Sequence, residues 1–144
     1  MDTLLANGPL ASSALAWFLA QLSKVIIDLV TSRRFNIRAF FSSGGMPSSH
    51  SATVVALATR VGIESGLQST AFALALIFAV VVMYDAAGVR RAVSVQARIL
   101  NRMLTEMMDT QHFNERRLRE LIGHTPFEVF VGGLLGALVA ISWS

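Results

Sequence analysis

Cysteine is absent from the chain, so disulfides and thiolate metal sites are excluded and the redox state of its compartment leaves no trace. Three histidines leave little for a metal cluster, and neither metal nor cofactor is expected. Charge is scarce as well: 15% of residues are Asp, Glu, Lys or Arg, against about 25% in soluble domains. The cations are Lys24 and eleven arginines, giving a pI near 10.6. They lie beside apolar stretches rather than in aromatic-interleaved stripes, which argues against a nucleic-acid partner. Internal repeats and low-complexity tracts are lacking too.

What the chain has in quantity is apolar. Hydrophobic residues make up 53% and mean hydropathy is +0.57, the balance of an integral membrane protein. With 144 residues there is room for a single membrane-embedded domain, 1–144. Four apolar segments are predicted. Residues 9–30 would rise roughly 33 Å as a helix, enough to cross a bilayer. Residues 51–63 would rise roughly 20 Å, short of a hydrocarbon core of about 30 Å. Residues 69–88 are apolar until Tyr84 and Asp85, and residues 126–143 carry Gly132 and Gly136 at the spacing that lets helix backbones approach closely. The expected fold is all-α: a small bundle of about four transmembrane segments.

Residues 89–123 differ in kind. Val93, Gln96, Leu100, Met103, Leu104 and Met107 recur at spacings of three and four, with Arg91, Arg98, Arg102 and Asp109 largely on other faces. An amphipathic helical hairpin is expected, broken near 110–114, on the membrane surface or against the bundle. The N-terminal run lacks Lys or Arg before Lys24, so it reads as retained rather than as a cleaved signal.

Arginine placement sets an expected topology. Arg33, Arg34 and Arg38 follow the first segment and seven arginines populate residues 89–123, whereas residues 64–68 and both chain ends carry none. The positive-inside rule then puts the basic loops in the cytoplasm and both termini outside, a multi-pass arrangement. Lys24, the segment GGMPSSH (44–50), Asp85 with Arg90 and Arg91, and His124 would all collect at the cytoplasmic face.

Two stretches at that face invite chemistry. In GGMPSSH the glycines permit close approach of a ligand, Pro47 suits a first helical turn, and Ser48 or Ser49 can cap the helix that follows. Amide donors at a helix start hold anions, and His50 would stand beside one. A plain loop and cap explains the same residues. In GHTPFEV, Thr125 suits an N-cap and Pro126 a first helical residue, while Glu128 lies four residues past His124 and can reach back to its ring. That would fix the tautomer and leave one ring nitrogen as a nucleophile. Thr125 and Glu128 also spell a capping box, which needs no catalysis. Two imidazoles, a carboxylate and several cations suit phosphoryl transfer, with Arg90 and Arg91 leading the clamp candidates, then Arg33, Arg34 and Arg38.

SSGGMPSSHSATVVALAT, VVMYDAAGVRRA and GHTPFEVFVGGLLGALVA together resemble the divergent branch of the type-2 phosphatidic acid phosphatase superfamily, related to acid phosphatases and vanadium-dependent haloperoxidases. The likeness covers most of residues 24–140. Pro47, Ser48, Ser49 and His50 resemble its Pro-Ser-Gly-His, with serine for glycine. His124 and Glu128 resemble its His-to-acid pair, with Glu for Asp. Lys24 with Arg33 or Arg34 resembles its Lys-to-Arg element at a longer spacing and without the proline. Leu118 stands where an arginine is usual, so Arg90, Arg91, Arg117 or Arg119 would supply that cation.

The resemblance implies hydrolysis of a phosphate monoester or diphosphate, on a lipid or isoprenoid carrier at the bilayer. His124 would be the nucleophile, Glu128 its orienter and His50 the proton donor, with Ser49, the Gly45 backbone and the cations holding the phosphate oxygens. A degenerate relative that binds phospholipid without turnover, or a structural membrane protein, is the alternative. The superfamily's membrane members carry more helices, and a homodimer through the Gly132 and Gly136 face would supply missing walls.

Overall fold

The computed structural model describes residues 6–33, 40, 44–108 and 124–143, with the backbone alone at 89–91, 94 and 106–108. It is all-helical, as expected: α1 (Gly8–Ser32), α2 (Ser49–Ser65), α3 (Thr70–Ala87), α4 (Val89–Met108) and α5 (Pro126–Ser142). Polar side chains set the helix starts. Asn7, Ser48, Ser69 and Thr125 each accept a hydrogen bond from a backbone amide in the first turn, satisfying donors that the helix itself leaves open. Pro47 lies before the Ser48 cap rather than in the first turn of α2, a correction to the sequence expectation.

The bundle is small inside and large outside. Every buried apolar side chain among the described residues is alanine or valine, including Ala16, Ala20, Ala52, Ala56 and Ala140 where α1, α2 and α5 meet. On α3 only Ala75, Ala79 and Ala86 are buried, while Leu74, Ile77, Phe78 and Val81 are exposed. On α5 the outward row is Phe127, Phe130, Leu134, Leu138 and Ile141. A water-soluble domain does not leave such a contiguous apolar surface bare. Small residues within and large apolar ones without is the arrangement of helices packed in lipid.

Two helices, α1 with 25 residues and α3 with 18, are long and apolar enough to cross a membrane. The apolar α5 has 17 residues, and α2, also with 17, carries Arg60 and Glu64 near its end. The expectation of four crossings therefore rests on length and composition at two of the four helices. The shortest of the expected segments forms the centre: α2 packs against α1, α3 and α5. Burial by neighbours, not hydropathy, holds it.

Gly132 and Gly136 set the closest approach. A Cβ on Gly132 would collide with the Ser48 backbone, and one on Gly136 with the Ala52 carbonyl. The face expected to serve a homodimer is thus filled by α2 of the same chain. At the far end of the bundle, Arg60 binds Glu64 and donates to the Trp143 carbonyl, fastening the end of α5 to α2.

Helix α4 is continuous through Met108 and reaches the bundle through α3. Val93, Ile99, Leu100 and Met103 are exposed along its apolar side. The hairpin break expected at 110–114, and the second arm, lie outside the described residues.

Backbone contact at the glycines predicts unequal tolerance. Gly136→Ala forces a Cβ onto main chain and is expected to cost about 1–3 kcal/mol. At Gly133 the nearest atom to an added Cβ is Val55 Cγ2 at 3.5 Å, ordinary contact, so Gly133→Ala should be neutral or stabilising by up to about 1 kcal/mol through helix propensity. Thermal melting of the two variants in detergent checks the contrast.

Candidate active site

The start of α5 builds one half of the site. Thr125 caps the helix, Pro126 opens it, and Glu128 closes the box: its Oε2 accepts from the Thr125 amide at 3.1 Å while its own amide donates to Thr125 Oγ1 at 3.3 Å. The same Oε2 lies 3.1 Å from His124 Nδ1. Capping and imidazole orientation, opposed explanations at the level of sequence, are served here by one carboxylate oxygen. Donation from Nδ1 to this carboxylate oxygen selects the Nδ1–H tautomer and leaves the Nε2 lone pair available.

His124 is 1% exposed, and its Nε2 has no hydrogen-bond partner among the described residues. Its amide donates to the Ala86 carbonyl at 3.2 Å, which ties the ring to the end of α3. A buried nitrogen left open in this way costs about 1–3 kcal/mol, an expense that function commonly explains.

The start of α2 builds the other half. Ser48 is fully buried, its amide donating to the Glu128 carbonyl at 3.1 Å and its hydroxyl accepting from the Ser51 amide and hydroxyl. Its hydroxyl is thereby engaged in capping. Ser49 is buried beside it and accepts from Lys24 Nζ at 3.4 Å. Lys24 comes from α1, is 5% exposed, and feels the opposite charge of Glu128. His50 is half-buried, with its ring centroid 6.2 Å from that of His124 and the ring planes at 64°. The two imidazoles thus meet edge-on, close enough for one small anion to lie against both.

Thus Lys24, Ser48, Ser49, His50, His124 and Glu128 converge from three helices. Gly45 stands at the exposed rim with φ +87, a backbone conformation that glycine adopts without strain. Arg33 caps α1 in the left-handed region and its side chain is exposed. Arg34 lies outside the described residues. Arg90 and Arg91 occupy the first turn of α4, one turn after Ala86, with their side chains outside the description. Sequence reasoning passed over the backbone partners, the Ala86 and Glu128 carbonyls, which no side-chain pattern advertises. It also passed over Gln21, which the spacing of three to Lys24 in an apolar helix does mark.

A family profile described as the divergent PAP2 family matches residues 5–139. The chain belongs to that family. A membrane protein of Bacillus subtilis (strain 168) with the name Uncharacterized membrane protein YuiD is 44% identical over 149 residues, spanning 96% of this chain and 94% of its own length. No solved structure gives a significant match. The match spans both halves of the site, so a divergent PAP2 protein carries the Ser48–His50 and His124–Glu128 pieces on helices that pack directly on each other.

The carboxylate's double duty predicts separable effects. Thr125→Val removes a cap acceptor and is expected to cost about 1 kcal/mol in stability, with His124 still in the Nδ1–H form. Glu128→Ala should lose the tautomer as well. Nitrogen chemical shifts of the labelled histidine read this directly, and an unchanged His124 signature in Glu128→Ala would contradict the assignment.

Proposed function

We propose that this protein is a membrane phosphatase acting on a phosphate monoester or diphosphate of a lipid or isoprenoid carrier. The observation that carries the reading is the facing pair of imidazoles, one of them with a buried open nitrogen backed by a carboxylate. His124 Nε2 attacks phosphorus as the P–O bond to the leaving alkoxide breaks, and His50 in its protonated form passes a proton to that alkoxide. Glu128 stabilises the charge that develops on His124. Water, giving its proton to His50, then attacks the phosphohistidine; the P–N bond breaks, phosphate departs, and both rings return to their starting forms.

Lys24 and Ser49 hold phosphate oxygens beside the helix start, where amides and the α2 dipole favour negative charge. Arg90 and Arg91, one turn beyond the Ala86 carbonyl that binds His124, supply the further cation. The outward apolar rows of α3 and α5 support embedding in lipid, so the substrate's tail shares the bilayer with the protein.

One observation favours a second reading. Among the described side chains Lys24 is the cation buried at the site, and leucine stands at position 118 where the superfamily pattern has arginine, which suits binding of a phosphorylated lipid without turnover. Phosphate release separates the two. His124→Ala is expected to lower turnover by at least about 10³-fold and His50→Ala by about 10²–10⁴-fold. Mass analysis of quenched enzyme should place the phosphoryl group on His124; a label on serine would overturn the assignment of roles, and binding without release would select the second reading.

The site faces the cytoplasm in this proposal, because the arginines flank it. Ser48 is buried and useless for labelling, whereas Met46 beside it is exposed. Met46→Cys should react with an impermeant thiol reagent in inverted vesicles and not in intact cells. The reverse pattern would invert the topology.

A further inference from the structure

Beyond its first turn, helix α4 has no part in the mechanism above. Among the described helices it packs on α3 and on neither α1, α2 nor α5. Three lines run along it. Ala97 is buried and Asn101 and Leu104 are half-buried, at spacings of four and three. Val93, Ile99, Leu100 and Met103 are exposed on one flank of that line, and Arg98 and Arg102 are exposed on the other. At about 100° per residue, the centres of the two flanks lie roughly 150° apart. Separate apolar and basic sides on one helix suit a boundary between oil and water.

The place of α4 in the fold supplies such a boundary. Helix α3 has 18 residues and is apolar enough to cross a membrane. Its rise of about 27 Å is close to the thickness of a hydrocarbon core. Gly88 alone separates it from α4, which therefore starts at the level where hydrocarbon gives way to headgroups. The exposed apolar side of α4 also continues the outward row of α3, formed by Leu74, Ile77, Phe78 and Val81. Charge then selects the kind of lipid. Residues 89–108 hold four arginines, at 90, 91, 98 and 102, against one acid, Glu106. Anionic headgroups complement that excess, and they are enriched in the cytoplasmic leaflet, the side to which the arginines assign α4.

We infer that α4 lies in the plane of the bilayer surface and binds the anionic phospholipids of the leaflet beside it. Val93, Ile99, Leu100 and Met103 sit among the upper acyl chains, and Arg98 and Arg102 reach the headgroup phosphates. The lipids bound in this way are a surface, not a substrate, and the contact is independent of any turnover at His124. It begins two residues after Ala86, whose carbonyl holds the His124 amide.

The native chain has no cysteine, so Leu100→Cys and Thr105→Cys each offer a single labelling position on the full-length protein. The first is on the apolar flank, the second is exposed and off it. Each carries an environment-sensitive fluorophore in vesicles of phosphatidylcholine, alone or with phosphatidylglycerol, doped with lipid bearing a nitroxide near the top of the acyl chain. Strong quenching is expected at position 100 in the anionic vesicles and weak quenching at 105, with added salt reducing the former. Arg98→Gln and Arg102→Gln should each lower the bound-to-free ratio at position 100 by about fivefold, the worth of one basic residue at an anionic surface. Equal quenching at position 100 in neutral and anionic vesicles, a comparison that needs no charge variant, overturns the inference. Quenching that both arginine variants leave unchanged does so as well. A probe shielded from water yet not quenched by the labelled lipid also overturns it, and assigns this side of α4 to a protein partner, a second copy or residues 109–123. So does a probe open to water in both kinds of vesicle.

Discussion

The contact between α2 and α5 governs the rest of the structure. Gly132 and Gly136 lie so close to the Ser48 and Ala52 backbones that no side chain fits between the helices. This proximity lets the Ser48 amide reach the Glu128 carbonyl and places the His50 and His124 rings 6.2 Å apart. The small-residue stripe, which reads in isolation as a packing device, is what makes a two-histidine site geometrically available.

A core of alanine and glycine contributes little by removing apolar area from water. Its stability in lipid comes from dense van der Waals contact and from backbones brought near each other. Polar groups then carry a larger share of the specificity than in a water-soluble bundle. Ser12, Ser13, Ser48, Ser49 and Ser51 are all buried, and several return a hydroxyl bond to a nearby carbonyl or cap. Lys24 is accommodated because Ser49 and the charge of Glu128 offset part of its desolvation. The Arg60 clamp at the far end does for the end of α5 what the cap network does at the site.

Much of this was legible in the sequence where the chemistry is local. Thr125, Pro126 and Glu128 announce their helix start within four residues, and that start is observed as the pattern describes. The convergence of Lys24, GGMPSSH and His124 followed from counting segments and reading arginine placement. What escaped was tertiary. Residues 51–63 fall short of a bilayer's thickness as read from the sequence, whereas α2 runs over Ser49–Ser65 and is surrounded by protein. The glycine spacing of α5 told of close approach without naming the partner, which is α2. The direction of Arg90 and Arg91 depends on how α4 leaves α3, which no short motif encodes.

Two of the inter-helix bonds at the site, Ser48 to Glu128 and His124 to Ala86, are made by peptide groups. Every residue type except proline can donate such a bond, so its alignment survives changes of side chain at those positions. Evolution can therefore rewrite the letters of these motifs, exchanging glycine for serine or aspartate for glutamate, while the scaffold underneath keeps its register.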